Sequence, residues 1–256
     1  MRIDHPTDKD LNGLSALWQQ VFGDTEEYIS TFFRLSRVKE RCFCVTDGDT
    51  PVGALYWLDM WCRGEKLAYL YAIATATEHR GQGICKKLMA HTLNALASLG
   101  YAGALLVPEN ASLRQMYRKM GFEDGASMHE FTAEADIGPI TLEKLSGSAY
   151  LALRERIAGA DAVFPGEEAL ALLSEYAGFY RGEDVLFIAA RNGDTLCVTE
   201  LLGNPDTAPA ILNTLGCNRG IFRCPGGQES FAMYRGLHDR FRQPGWFSTA
   251  FDEILP

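Results

Sequence analysis

Apolar residues near the start of the chain recur at a helical period. Leu11, Leu14, Leu17, Trp18 and Val21 fall three or four positions apart, on one face of a helix. Phe22-Gly23-Asp24 breaks the run. Asp24 or Thr25 can cap a second helix, whose apolar face is Tyr28, Ile29, Phe32 and Phe33. Residues 8–36 thus read as two helices. The pattern then changes to that of strands: a short one at 41–46, a turn at Asp47-Gly48-Asp49, and longer strands at 52–61 and 66–75 joined around Arg63-Gly64-Glu65. A glycine loop at 81–83 precedes a helix that runs to Leu99. Its inward stripe is Ile84, Leu88, Thr92, Ala95 or Leu96, and Leu99, with Gly100 as C-terminal cap. Residues 104–107 read as a buried strand, 111–120 as a helix closed by Gly121, and 122–133 as a last pair of strands.

Strands come first in this order and a strand–helix–strand crossover follows, which predicts an α/β (α+β) fold with a mixed sheet. Asp136-Ile137-Gly138-Pro139 reads as a boundary, dividing the chain into domains at 1–135 and 140–256. In the second half, 147–159 and 166–179 read as helices, 185–190 and 195–202 as a hairpin around Asn192-Gly193-Asp194, and 207–215 as a helix. Strands are expected at 219–224, 230–235 and 246–251. This order echoes the first half, but the glycine loop does not recur. The second half therefore reads as a smaller α+β domain, a degenerate copy of the first.

Composition narrows the function classes. The apolar fraction of 47% and charged fraction of 22% suit a globular protein in water. No apolar run approaches the ~20 residues of a membrane span, and the first residues lack an apolar signal core, so a cytoplasmic place is expected. Residues 1–133 carry 14 Lys+Arg and 16 Asp+Glu; residues 134–256 carry 10 and 17. Net charges of −2 and −7 argue against a nucleic-acid backbone as partner and suit a cationic amine. The seven cysteines are irregularly spaced and the five histidines scattered. Cys42 and Cys44 share one strand face, but no metal-ligating cluster emerges, and the thiols read as small apolar residues in a reducing compartment.

The strongest chemical signal is Arg80-Gly81-Gln82-Gly83-Ile84-Cys85-Lys86, between a strand and a helix. Glycines there allow backbone conformations that other residues avoid and let a ligand approach the main chain. The following helix offers unpaired N–H groups and the positive end of its dipole, an arrangement suited to phosphate. Arg80 and Lys86 can add charge at the rim. By itself Gly-x-Gly also describes an ordinary tight turn. A Walker A loop is absent, and a Rossmann fingerprint would need a third glycine where Lys86 stands.

The stretch from Leu70 to Met89 resembles motif A of the GNAT N-acetyltransferases, whose pattern is Arg/Gln-x-x-Gly-x-Gly/Ala. Here it reads Arg80, Gly83 and Cys85, with cysteine in the last small position. Asn110-Ala111-Ser112-Leu113-Arg114-Gln115-Met116-Tyr117-Arg118-Lys119-Met120-Gly121-Phe122 resembles motif B, and the resemblance spans residues 1–133. It implies acetyl-CoA as cosubstrate and no metal. Its pantetheine arm would pair with backbone groups of Ile73, Ala74 and Thr75. Main-chain N–H groups of Arg80, Gly81, Gln82, Gly83, Ile84, Cys85 and Lys86 would hold the pyrophosphate. Asn110 would reach the arm from the other side. Tyr117 matches the family tyrosine that faces the thioester sulfur, where a hydroxyl can give the departing thiolate a proton.

Tyr117 also shares an apolar helix face with Leu113, Met116 and Met120, as a core aromatic would. Asp59, Glu65 and Glu109 are candidates for the base that deprotonates the amine. Asp59 interrupts the aromatic run Tyr56, Trp57, Leu58, Met60 and Trp61, where burial would raise a carboxyl pKa, although a solvent-facing position is the simpler reading. Tandem GNAT aminoglycoside acetyltransferases suggest a further candidate, the terminal carboxylate at Pro256. Alternation puts Tyr69, Tyr71 and Ile73 on one face, and some of these aromatics can line a pocket for a cation. The expected activity is acetyl transfer to a small-molecule or peptide amine. The second half would wall the acceptor site or replace a partner subunit. The alternatives are an acyl-CoA-binding sensor or scaffold without turnover, and transfer of a longer acyl group or to a non-amine acceptor.

Overall fold

Helical periodicity at the start of the chain becomes α1 (Leu11–Phe22), with Leu14, Leu17 and Trp18 buried. Gly23, at φ +78°, closes it by donating its N–H to the Gln19 carbonyl. Thr25 caps α2 (Glu26–Leu35), accepting the Tyr28 N–H at 3.2 Å. Asp24 instead accepts the indole N–H of Trp18 at 2.6 Å, so the two capping candidates have separate tasks. In the computed structural model, residues 1–136, 138–239 and 241–245 are described. They form two compact units. The first comprises 1–123, 165–172 and the described residues of 233–243; the second comprises the described residues of 124–164 and 173–232 with Pro244 and Gly245.

In the first unit, β1 (Arg2–Asp4), β2 (Cys42–Asp47), β3 (Thr50–Cys62), β4 (Glu65–Thr75) and β5 (Gly103–Leu106) lie side by side in that order. Pairing is antiparallel except between β4 and β5, which are parallel. The crossover between those two is α3 (Ile84–Ser98), and α4 (Ala111–Arg118) follows β5. Strand β3 is buried almost throughout because helices cover both faces. On one face Trp18 of α1 and Phe32 of α2 meet Tyr56, with ring centroids 4.9 and 5.7 Å away. On the other, Phe43 packs between Trp57 and His91 of α3.

The segment Met233–Gly236 continues this sheet beyond β5, pairing antiparallel with Gly103–Leu106, and Glu123–Asp124 forms the edge beyond it. Gly236 lies opposite Gly103, and Phe241 occupies the space over both, where a Cβ on Gly103 would stand 2.3 Å from its ring. Ser127–Glu134, read from sequence with the first half, pairs instead with Arg219–Pro225 in the second unit.

The second sheet has Glu143–Leu145, Gly178–Arg181, Val185–Asn192, Thr195–Gly203 and Arg219–Pro225 side by side, then Ser127–Glu134. This repeats the order of the first sheet, and again the fourth and fifth strands are the parallel pair. Each sheet takes its sixth strand from outside its own run of five. Core residues include Phe187, Val198, Ile211, Leu212 and Phe222. Within this unit Arg154, from the helix Gly147–Ala158, grips Glu200 with two hydrogen bonds of 2.7 and 2.9 Å. Tyr150 adds a third at 2.5 Å, and Arg154 also donates to the Val163 carbonyl at 2.9 Å. The head of Ala208–Leu215 lacks a left-handed glycine: its N-cap is Thr207 and a proline fills its first turn.

Several readings are corrected. The expected helix 166–179 ends at Tyr176, and Gly178–Arg181 is a strand. Three- and four-residue strands offer too few positions for a period of two to register. Leu99, expected inward, is 60% exposed, because α3 stops at Ser98 and Leu99 is its cap. Residues 230–235 divide into Glu229–Ser230 in the second sheet and Met233–Gly236 in the first. The expected strand at 246–251 lies outside the described residues, as does Pro256.

Candidate active site

The feature that organises the site is a parting of two strands. β5 pairs with β4 at Leu67, Ala68 and Tyr69, and the pairing then stops, while β4 continues to Thr75. On its other side β4 stays paired with β3, up to Gly53 opposite Thr75. A strand edge without a neighbour offers N–H and C=O groups to an extended ligand.

A bulge shapes that edge. Tyr71 lies opposite Tyr56 and Ala74 opposite Ala54, so Ala72 and Ile73 together face Leu55. Ala72 carries the extra turn at φ +46°. The sequence reading put Tyr69, Tyr71 and Ile73 on one face; the bulge keeps Tyr69 and Tyr71 together, with rings 5.7 Å apart, and turns Ile73 to the other side. Ile73 and Thr75 are half-exposed and Ala74 is buried. Tyr71 meets the Tyr28 hydroxyl at 3.0 Å and stacks on Phe32.

Past Thr75 one turn of tight helix, Thr77–His79, leads into the glycine loop. Arg80 turns back, its Nε donating to the Thr75 carbonyl at 3.3 Å. Gly81 and Gly83 are left-handed, at φ +78° and +76°. A Cβ at either would find nothing within 4 Å, so both border open space. Gly83 is the N-cap of α3 and no side chain caps that end. The first-turn N–H groups thus point outward without a protein acceptor on the helix, as anion binding requires. This backbone cradle fits a pyrophosphate. Arg80, Gln82 and Lys86 are exposed around it, Ile84 is buried against the sheet, and Cys85 is half-buried.

Asn110 opens α4, accepting the Leu113 N–H on Oδ1 at 3.0 Å. That oxygen holds the helix, and the Asn110 side chain is exposed. Tyr117 is 6% exposed and is the buried side chain of α4; Leu113, Met116 and Met120 are half-exposed. Burial, then the nearby Cys85 thiol, pushes the Tyr117 hydroxyl well above its ordinary range. The phenol therefore stays protonated at neutral pH, the state a proton donor needs. Burial likewise raises the Cys85 thiol. The Cys85 thiol, at the start of α3, thus lies within electrostatic reach of Tyr117 on α4, a proximity for which the sequence holds no local signal.

The carboxylate candidates fall in different settings. Asp59 is 8% exposed, not solvent-facing, and its Oδ2 takes both Arg41 at 2.7 Å and Lys66 at 2.8 Å. The Tyr101 hydroxyl donates to Oδ1 and receives the Trp57 indole N–H at 3.2 Å. Burial and Asp59 together hold Tyr101 protonated. A carboxylate so enclosed serves as the acceptor of a buried ionic cluster. Asp59→Asn is expected to leave two cations poorly compensated and to cost about 3 kcal/mol of stability, while acetyl-CoA binding by the folded protein is unchanged. Urea unfolding and calorimetry check this; full stability with lost turnover would return Asp59 to the chemistry. Glu109 is exposed in the loop before α4, and Glu65 is exposed at the start of β4.

Among the described residues no three His, Cys, Asp or Glu side chains gather as a metal site, and no helix is long and apolar enough to cross a membrane. The cysteines stand as thiols, mostly buried.

The family profile of an acetyltransferase (GNAT) domain matches residues 2–125, which include the parted strands, the glycine loop and α4. No curated protein sequence matches the chain. Among solved structures, a GCN5-related N-acetyltransferase from Kribbella flavida superposes with a TM-score of 0.68 at 19% identity, over 92% of this chain and 70% of that one. A GCN5-related N-acetyltransferase from Anabaena variabilis does so with a TM-score of 0.70 at 15% identity, over 93% and 73%. Eis1 from Mycobacterium abscessus gives 0.64 at 13%, over 93% and 74%. At such identities the similarity is one of fold, and it extends beyond the profile into the second half of the chain. With the profile falling on the segment that builds the cleft, residues 2–125 belong to the GNAT acetyltransferase family.

Proposed function

We propose that the protein transfers an acetyl group from acetyl-CoA to an amine, with Tyr117 as the general acid. The observation that carries this reading is the uncapped, left-handed glycine turn at the head of α3, open to space at the end of a strand edge that β5 has left. The loop supplies N–H groups for the pyrophosphate, and the edge around Ile73, Ala74 and Thr75 supplies a strand-like partner for the pantetheine arm. Asn110 reaches the arm from the opposite wall. Acetyl-CoA contributes an activated thioester.

The chemistry asked of the protein is then small. The amine, once neutral, attacks the carbonyl carbon; a C–N bond forms and the C–S bond breaks. Tyr117 gives its proton to the sulfur as the thiol leaves, and the phenolate regains one from solvent, which balances the proton the amine releases. The amine's proton goes to solvent, and Glu109, exposed one residue before the α4 cap, is the better placed carboxylate to accept it through water, since Asp59 is held by Arg41 and Lys66. The acidic balance of the chain, −9 overall, favours approach of a cationic acceptor.

Calorimetry with acetyl-CoA and CoA, then turnover of a panel of polyamines, lysine peptides and aminoglycosides, tests the proposal. Tyr117→Phe is expected to lower kcat roughly 100-fold and to leave the KM for acetyl-CoA near wild type. Tight CoA binding with no turnover of any amine would favour the second reading, a CoA-binding sensor. Cys85, in place of a smaller residue at the head of α3, supports that reading. Absence of CoA binding would remove both.

A further inference from the structure

We propose that Arg235, outside the glycine loop and α4, is a positioning residue that fixes the orientation of Tyr117. The inference rests on the acetyltransferase reading above. α4 has eight residues, fewer than the ~12–15 at which an isolated helix sustains itself. It fully buries one side chain, Tyr117, with Leu113 and Met116 half-exposed, and both of its ends are held. Asn110 holds the N-terminal end through the Leu113 N–H.

The C-terminal end closes on Tyr117 itself. The N–H groups of Met120 and Phe122 both donate to the Tyr117 carbonyl, at 2.9 and 3.1 Å, and the Phe122 ring lies 5.9 Å from the Tyr117 ring. Arg235 grips this turn. Its Nη1 donates to the Met120 carbonyl, 115 positions earlier in the chain. The guanidinium also lies against Gly121, where a Cβ would stand 3.4 Å from Cζ. Gly121 adopts φ +84°, a conformation that favours glycine, and a Cβ there would only touch the cation above it. A positive charge at this place also meets the negative end of the helix. Arg235 is fixed in turn by its strand, which sets it opposite Ala104 of β5. A strand from late in the chain thus supplies the support for the helix that carries the proton donor.

The test uses the full chain. Arg235→Met keeps the apolar stem and removes the donors; Arg235→Lys restores a single-point cation. With acetyl-CoA and the amine turned over best, Arg235→Met is expected to lower kcat roughly 10- to 100-fold. Its affinity for CoA should stay within about twofold of wild type. The lysine variant should recover part of the loss. In a Tyr117→Phe background, Arg235→Met should cost nothing further, because the two act as one unit. An equal loss in both backgrounds, or a fall in CoA affinity in step with kcat, overturns the proposal. Hydrogen exchange needs no acceptor: faster exchange at Met120 and Phe122 in Arg235→Met, with the rest of the unit protected, is the expected result. Unchanged exchange there overturns the proposal even if no amine is turned over, the outcome that defeats the enzymatic reading by itself. If the methionine variant does not fold, Arg235→Lys carries the same measurements.

Discussion

Gly83→Trp is expected to weaken acetyl-CoA binding by more than about 100-fold while leaving the protein folded. Gly83 sits at φ +76°, and an L-residue there costs about 1–2 kcal/mol of backbone strain. For a chain of this length that corresponds to a fall of roughly 2–8 °C in thermal midpoint. The Cβ of the new side chain meets no protein atom, since nothing lies within 4 Å of it. It would instead fill the space that phosphates must enter to reach the first-turn N–H groups of α3. Affinity and stability therefore separate: a large loss in the first, a modest one in the second. Gly83→Ala keeps most of the strain and little of the bulk, and should bind far better than the tryptophan variant. Calorimetry beside thermal unfolding reads both quantities. Wild-type affinity in Gly83→Trp would place the ligand elsewhere and remove the loop from the site.

Breaking the buried pair in the second unit has the largest expected effect on stability. Arg154 is 2% exposed and Glu200 0%, and the pair is held by two direct hydrogen bonds with Tyr150 and the Val163 carbonyl as additional partners. In place, such a pair contributes little net stability, because desolvation offsets attraction. Removing one partner takes the opposite charge away from the other in the core, at a cost of about 3–5 kcal/mol. Arg154→Met strands Glu200, and Glu200→Gln strands Arg154. The double variant should lose much less than the two single losses added, since it buries no unpaired charge. Urea unfolding of the four proteins completes the cycle. Strict additivity would show that the pair is not coupled in the folded protein.

The location of that pair shows where sequence reasoning stops. Arg154 lies on a helix and Glu200 on a strand 46 positions later, and neither segment's pattern announces the other. Asp59 behaves the same way. Its place in an aromatic strand is legible, but the sequence favours a solvent-facing side chain, and the structure buries it. Arg41 and Tyr101, which fill its lone pairs together with Lys66, are brought from 18 and 42 positions away. A carboxylate that reads as a candidate base in one dimension is enclosed by cations in three.

Elements whose signal is local are legible in the sequence. α1 and α2 follow from apolar spacing, the Gly23 break and the Thr25 cap. Strands β2 to β4 follow from their apolar runs and the turns between them. The glycine loop, with its two left-handed residues, and Tyr117 on the helix after β5 follow from motifs that lie within a few residues of one another. Each is a property of a short segment: a period, a cap, a backbone conformation that glycine alone adopts cheaply.

Which segments pair is set by long-range packing. Ser127–Glu134 and Met233–Gly236 are ordinary strands to a local reading, and nothing in their alternation names Arg219–Pro225 or β5 as neighbours. The bulge at Ala72, which turns Ile73 from the face of Tyr69 and Tyr71, likewise arises from the register against β3. The grip of Arg235 on the α4 turn depends on that strand pairing in turn. Local period fixes what a segment can bury. The choice of partner is made by the burial and hydrogen bonding of the whole chain, which no short window contains.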